Sequence, residues 1–260
     1  MKIIETDKLS REQQTPLQDE ERFSFSCHAG LDCFNQCCRN LNLFLYPYDV
    51  LRLKRYLNLT SGAFIDGYLE VVMREGNFFP DVLLTMADNP EQTCPFLTAE
   101  GCSVYPARSY SCRLFPMEQG LRYVADSSQP RLVNFFRPPD FCLGRHEARQ
   151  LTPAEWIADQ EATTHTEMTR LWAMLKARFV NNPWGGEGPY GSRARMAFMA
   201  AYNIDAFRDF VFKSSFLKRY RVKSATLKKI RASDTELLIF GQEWIKTYIW
   251  GEKSVLLRLK

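Results

Sequence analysis

Residues 27–38 read CHAGLDCFNQCC, which places four cysteines within twelve residues. Glycine and polar side chains separate them, and this composition favours an irregular loop over a helix or a strand. A single buried cysteine usually acts as a small hydrophobic residue, but packing does not explain a cluster of this density. Clustered cysteines more often ligate a metal in a chain without secretion signals. We therefore expect this part of the chain to fold around a metal or iron–sulfur site.

The other cysteines extend the pattern to residue 142, and none follows. The candidate metal ligands are Cys27, Cys33, Cys37, Cys38, Cys94, Cys102, Cys112 and Cys142. Neighbouring side chains in extended backbone point to opposite faces, so the doublet Cys37–Cys38 does not easily serve one tetrahedral ion. The doublet favours either two sites or a polynuclear cluster. Two four-cysteine sites, or one such site with four cysteines in other roles, are both consistent with the spacing.

Length and composition predict a well-packed globular protein. The chain has 260 residues, of which 45% are hydrophobic, and its net charge is +4. Such a chain can bury one large core or two small ones. No segment resembles a signal peptide or reaches the roughly 20 apolar residues that span a bilayer. We expect a cytoplasmic protein with no membrane partner, in a compartment where thiols stay reduced.

We expect an α+β fold that is mainly helical. The cysteines should occupy an irregular metal-binding core with a small β-hairpin, followed by a C-terminal helical region. The predicted division is a polar N-terminal arm at 1–22, a cysteine-cluster region at 23–146 and a helical region at 147–260 packed on it.

Local patterns predict the elements of the first 146 residues. Apolar spacing indicates a helix from Pro47 and a second helix after Thr60 that reaches Val72. A short strand is expected at 82–86. Two further strands, at 121–125 and 131–136, are expected to form a hairpin through the polar residues between them.

The C-terminal region carries strong helix signals. Thr152, Pro153 and Glu155 form a capping box with proline at the first helical position. A helical face is expected to run to Phe179, and glycines at 183–191 should then form a loop. Further helices are predicted at 204–217 and 237–248, the latter opened by a capping box at 233–236. The glycine loop follows a helix and not a strand, so we do not interpret it as a nucleotide-binding loop.

Charged residues near the cysteines suggest how the negative charge of such a metal site is compensated. Four thiolates around Zn²⁺ or a cubane cluster leave a negative site, and nearby cations are expected to offset it. Arginines lie directly beside the cysteine segments at positions 39, 108, 113 and 145. His28 and His146 are weaker candidate ligands.

A basic run extends from Lys213 to Arg231, with eight basic residues and no acid. A solvated helix face is the simplest interpretation, and an acidic protein partner is the alternative. No helix-turn-helix, zinc-finger or RNA-binding pattern is present, so we do not expect a nucleic-acid partner.

The cysteine segments resemble a known family. The stretches 25–39, 47–54, 94–97, 101–105, 108–116 and 141–144 are similar to the YkgJ-type cysteine-cluster proteins, a bacterial group described as zinc- or iron-chelating. Residues 207–217 look like a helix of its longer members. The chain departs from the family pattern at Ser109, where proline is usual, and its first cluster is more widely spaced.

That wider spacing is closer to flagellin lysine N-methylases of the same superfamily. This resemblance implies an iron–sulfur cluster, S-adenosylmethionine as a cofactor and a protein substrate. Three hypotheses follow. The chain is a metal- or iron–sulfur-binding protein (4Fe–4S or zinc), a protein lysine N-methylase, or an interaction module in which the metal only stabilises the fold.

Overall fold

The computed structural model describes residues 2–4, 15–123 and 130–260. Helices and short strands alternate along the chain, as expected for a mixed fold with small sheets. The chain divides into two compact units. The first unit contains Met1–Leu43 and Thr85–Ala173, and the second contains Phe44–Leu84 and Met174–Lys260. None of the described helices is both long and apolar enough to cross a membrane.

The strands, in chain order, are β1 (Lys2–Ile4), β2 (Phe23–Ser24), β3 (Phe44–Leu45), β4 (Leu69–Val72), β5 (Asp81–Leu84), β6 (Leu97–Thr98), β7 (Gly101–Cys102), β8 (Met117–Arg122), β9 (Arg131–Phe136), β10 (Gln150–Leu151), β11 (Tyr220–Val222) and β12 (Leu257–Leu259). The helices are α1 (Pro47–Tyr56), α2 (Ser61–Tyr68), α3 (Tyr110–Leu114), α4 (Pro153–Asp159), α5 (Thr163–Lys176), α6 (Ser192–Tyr202), α7 (Ile204–Lys213), α8 (Phe216–Arg219), α9 (Ser224–Ala232) and α10 (Asp234–Trp250).

The first unit is built around the hairpin β8–β9. Strand β1 pairs in parallel with β8, with Lys2 opposite Gly120, and gives the sheet order β1-β8-β9. Aromatic rings fill the core beside this sheet. Phe25 meets the edge of Trp156 with ring centroids 5.2 Å apart, and the Trp156 Nε1 donates to the carbonyl of Leu114 at 2.9 Å. The tryptophan thereby ties α4 to the segment that carries Cys112.

The predicted hairpin is present with different bounds. Strand β9 spans Arg131–Phe136, as predicted, whereas β8 covers Met117–Arg122 and begins four residues before the predicted strand at 121–125. Residues 124 and 125 of that prediction, and the predicted turn, lie outside the described residues. The early start follows from packing, because the side chains of Met117 and Gln119 are buried, and this part of the strand pairs with the end of β9.

Helix α10 forms the centre of the second unit. Its seventeen residues include nine buried ones, so nearly its whole surface is covered by other elements of the unit. The Ser233 hydroxyl accepts from the backbone N–H of Glu236 at 3.3 Å and opens the helix where the sequence predicts a start.

Strand β5 forms the middle of a separate small sheet with the order β3-β5-β4.

A partly buried ion pair joins α1, α2 and α7 within this unit. The Nζ of Lys54 donates to both carboxylate oxygens of Asp205 at 3.0 Å. The same carboxylate accepts from the backbone N–H of Ser61 at 2.7 Å and from its hydroxyl at 2.9 Å. Lys54 is 7% exposed. Its charge is therefore compensated inside the unit, as burial of an ammonium requires.

Several predicted elements are corrected in the second unit. The helix after Thr60 ends at Tyr68, and Val71 and Val72 lie instead in β4, because they pair with β5. The predicted strand at 82–86 is β5, which begins one residue earlier and ends at Leu84.

The C-terminal helices also differ from their predicted bounds. Helix α5 ends at Lys176, and Phe179 lies in a 3₁₀ segment, Ala177–Asn181. The predicted helix at 204–217 is interrupted at Ser214, whose hydroxyl accepts from the backbone N–H of Phe216 at 3.1 Å and so starts a separate short helix. Helices α6 and α9 were not predicted.

Candidate metal centre

All eight cysteines lie in the first unit, and all are free thiols. Six of them lie in loops and 3₁₀ turns, whereas Cys102 ends the short strand β7 and Cys112 lies in the short helix α3. The doublet lies in a 3₁₀ turn, Gln36–Cys38, that begins after Asn35 in the left-handed region (φ 64°). Asparagine tolerates this conformation better than most residues. The tight turn allows the two neighbouring thiols of the doublet to face different surroundings.

A first group of thiols forms where the segments of Cys27, Cys33 and Cys142 meet. The backbone N–H of Leu143 donates to the Sγ of Cys33 at 3.2 Å. The N–H of Ser26, directly before Cys27, donates to the carbonyl of Gly144 at 3.1 Å. The two bonds bring distant parts of the chain to one place.

Gly144 permits this close approach. A Cβ at this position would lie 2.5 Å from the carbonyl oxygen of Ser26 and 2.8 Å from the ring of Phe25. Because real Cβ atoms do not approach backbone atoms this closely, any larger residue must push the segments apart.

The pKa values of the first group reflect burial and mutual repulsion. Burial raises the pKa of Cys27, and the neighbouring thiols of Cys33, Cys142 and Cys38 raise it further. Burial also raises the pKa of Cys142, and Cys33 adds to this, whereas the backbone N–H groups of Gly144 and Arg145 act in the opposite direction. Thiols that oppose one another's ionisation need a cation between them to become thiolates together.

A second group contains Cys38, Cys94, Cys102 and Cys112. The N–H of Cys94 donates to the carbonyl of Cys38 at 2.8 Å, and an isolated bridge between Arg39 and Thr93 extends this contact. The hairpin β6–β7 then returns the chain, with Cys102 opposite Leu97.

The thiols of this second group also raise one another's pKa values. Burial raises the pKa of Cys94 to about 11, with contributions from Cys38 and Cys102. Cys112 is exposed as a residue, but its sulfur is densely surrounded by protein atoms. Burial therefore raises its pKa to about 12, and Cys38, Cys94 and Cys102 add to the rise.

The doublet connects the two groups. The Cys37 thiol is hydrogen-bonded to the Cys38 sulfur, which raises the pKa of Cys37 and lowers that of Cys38. The other thiols that act on Cys37 are Cys112 of the second group and Cys27 of the first. Cys38 acts on three members of the second group. Cys38 also acts on Cys27 of the first group. The doublet therefore lies between the two groups, and Cys38 interacts with more thiols of the second group than Cys37 does.

Backbone N–H groups stabilise several of the sulfurs. Cys94, Cys102 and Cys142 each accept a hydrogen bond from the N–H two residues downstream, at Phe96, Val104 and Gly144. Each bond lowers the pKa of its thiol. Donors arranged in this way favour thiolates, the form that binds metal.

Three of the four arginines beside the cysteines act on thiols. Arg39 lowers the pKa of Cys38, Arg108 that of Cys102 and Arg145 that of Cys142. These effects are smaller than the leading causes in each case.

Arg113 has a different role. It is 2% exposed, and its guanidinium donates to the carbonyls of Pro106 at 2.5 Å and Gln160 at 2.8 Å. This arginine fixes the backbone of the loop between Cys102 and Cys112.

The two histidines near the cysteines are engaged elsewhere. The Nδ1 of His28 accepts from the N–H of Gly30 at 3.2 Å, and its Nε2 lies 3.5 Å from Glu147. The Nε2 of His146 accepts from the Nε of Arg145 at 3.2 Å.

The thiols of each group are near one another, but they are not arranged around a single point as ligands of one metal ion would be. Within residues 2–4, 15–123 and 130–260, no three His, Cys, Asp or Glu side chains are arranged to hold one metal ion. The donor set nevertheless fits a thiophilic metal, because eight free thiols with few competing oxygen ligands suit zinc and iron–sulfur clusters.

Comparison with known proteins supports the same chemistry. Residues 26–142 match the family model CxxCxxCC, described as a "putative zinc- or iron-chelating domain". The match contains all eight cysteines but covers less than half of the chain. No curated protein and no solved structure matches the chain significantly.

Sequence analysis missed the backbone donors and the role of Gly144. A glycine two residues after Cys142 was the available signal, but the approaching segment of Ser26 lies more than a hundred residues away. The sequence also gave no sign of a cavity in the second unit, because residues from several separate elements, such as Phe210 and Trp244, line it.

Proposed function

We propose that this protein binds metal through its eight cysteines, as two all-thiolate sites that hold zinc or iron–sulfur clusters. The observation that carries the proposal is the division of the thiols around the doublet. Cys38 acts on Cys94, Cys102 and Cys112 and also on Cys27, whereas Cys33 and Cys142 act on Cys27 and meet at the hydrogen bond from the Leu143 N–H to the Cys33 sulfur. In this proposal Cys37 completes the first site and Cys38 belongs to the second.

Charge balance argues for metal in these positions. Six of the thiols, those of Cys27, Cys37, Cys94, Cys102, Cys112 and Cys142, have raised pKa values and would stay protonated at neutral pH without a cation. A bound metal deprotonates its thiols and stabilises the fold that assembles them. It would draw the thiols of each group together, and the N–H donors and arginines described above would offset the remaining negative charge.

Anaerobic purification with metal analysis and absorption spectroscopy tests the proposal. Iron–sulfur clusters give a brown protein that bleaches on reduction, whereas zinc gives a colourless protein with stoichiometric zinc. The double variant C37S/C38S is expected to lose its metal, because both sites lose a ligand. Ser111→Ala, beside Cys112 but not a candidate ligand, is the control and should keep full loading. Unchanged loading in the double variant would contradict the proposal.

The lysine N-methylase hypothesis is a second candidate, favoured by the spacing of the first cysteine cluster and by the resemblance to flagellin N-methylases. It requires S-adenosylmethionine binding and lysine methylation of a protein substrate. Calorimetry with S-adenosylmethionine and a methylation assay on lysate proteins test it. No heat of binding and no labelled protein would eliminate this candidate and leave the metal proposal intact.

The predicted division at residues 22 and 146 and the cytoplasmic location remain proposals. Clustered cysteines that bind metal are typical of a reducing compartment, which supports the cytoplasmic proposal.

A further inference from the structure

The second unit carries a basic surface around the two-stranded ribbon β11–β12. Its exposed cations, none of which forms an ion pair with any residue in the described part of the chain, are Lys218, Arg219, Arg221, Lys223, Arg258 and Lys260. Eight other cations of the unit have acidic partners, as Lys246 has with Glu243 at 2.7 Å. The surface therefore has an uncompensated positive charge.

The register of the ribbon concentrates this charge. Arg221 lies directly opposite Arg258. The flanking side chains of Tyr220 and Leu257 are buried, so the two arginines point to the outer face. Like charges directly opposite one another destabilise a strand pair. An anion bound between or beside them would relieve this repulsion.

A cavity of about 100 Å³ lies next to the ribbon. Its lining residues are Met196, Phe210, Ser215, Phe216, Arg219, Tyr220, Trp244 and Tyr248. The walls are mainly aromatic, and the cation Arg219 belongs to both the cavity and the basic surface. Pockets for drug-sized ligands are about three to ten times larger. The size therefore suits one apolar side chain better than a whole cofactor.

We propose that this surface docks an acidic segment of a partner protein, with one apolar side chain of that segment in the cavity. Charge complementarity identifies the partner, since carboxylates would pair with the free cations. A buried apolar anchor surrounded by polar contacts is the usual arrangement of binding energy at such an interface. The exposed apolar residue Val255, which precedes β12, extends the contact surface beside the ribbon.

The aromatic rings argue against a nucleic acid as the occupant. Proteins that bind single strands present open ring faces on which bases stack. The rings of Phe216 and Trp244 are each 1% exposed and are packed against neighbouring rings. The inference is independent of the metal centre, because its residues all belong to the second unit and the cysteines to the first.

Fluorescence anisotropy with labelled peptides tests this proposal. The probe is a Glu-rich peptide with one central Phe, compared with the same peptide carrying Ser in place of Phe and with single-stranded DNA of similar charge. The Phe peptide is expected to bind about tenfold more tightly than the Ser peptide, because an aromatic side chain is buried. Raising the salt concentration should weaken both peptides.

Three variants separate charge from cavity. R221E/R258E should weaken both peptides by about tenfold or more. Ser215→Leu, which fills the cavity from an exposed position, should abolish the preference for Phe but keep the salt-dependent binding. Arg131→Glu is the matched control, because it reverses one charge of another cross-strand arginine pair, Arg122–Arg131, in the first unit. It should bind both peptides like the wild type.

Circular dichroism and melting temperatures establish that the variants are folded. Wild-type affinity in R221E/R258E, an unchanged Phe preference in Ser215→Leu, or tighter binding of DNA than of the Phe peptide would each overturn the proposal.

Discussion

At the residue scale, Asp205 shows how one carboxylate serves several elements. Burial alone would raise its pKa, but the hydrogen bonds from Ser61 and Lys54 outweigh that effect and hold the pKa below the ordinary value of 3.8. A group with a lowered pKa in the folded state stabilises the protein above its unfolded pKa. This stabilisation is lost as the pH falls through the folded value.

Replacing Asp205 with Asn should therefore lower stability at neutral pH. Lys54 would stay buried without a charged partner, and we expect a loss of about 2 kcal/mol. The stability of D205N should also fall less steeply than that of the wild type below about pH 4. Urea denaturation at several pH values measures both effects. Asp209→Asn, on the same helix but paired only with exposed Lys213, should have little effect; equal losses in the two variants would refute this account.

At the scale of elements, the predicted helix starts are correct where the residues at the start of the helix determine it. Helix α1 begins at Pro47, and α4 begins with the capping box of Thr152 and Glu155, both as predicted. The prediction was wrong for Val71 and Val72, because their pairing with β5 outweighs the helical pattern that precedes them.

Gly144 provides a test of the element that carries Cys142. Gly144→Ala should destabilise the first unit by about 1–3 kcal/mol, since its Cβ would collide with the carbonyl of Ser26. It should also reduce metal loading at the first site by separating the segments of Cys27 and Cys142. Thermal melting and metal analysis measure the two effects.

Gly67→Ala is the control for Gly144→Ala. A Cβ at Gly67 has open space, and the residue lies within helix α2. This variant should melt at or above the wild-type temperature. A wild-type melting temperature and full metal loading in Gly144→Ala would show that the close approach at this glycine is not needed.

At the scale of the whole molecule, the sequence predicts which residues ligate a metal but not how they are grouped. Cysteine spacing alone left two sites, one cluster or mixed roles open. The grouping depends on long-range contacts, such as the one between the Cys38 carbonyl and the Cys94 N–H. The same limit applies to the two units. Which segments belong to which unit depends on long-range strand pairs, such as Phe44 opposite Leu83. A local sequence pattern does not predict such pairs.

The most direct test of the central claim is the metal stoichiometry of variants that each damage one thiol group. Cys142→Ser should remove the metal of the first site and leave that of the second, and Cys94→Ser should do the reverse. Each variant is therefore expected to contain about half of the wild-type metal when both sites bind alike. A wild type without stoichiometric zinc or iron, or single variants that each lose all of their metal, would contradict two separate thiolate sites.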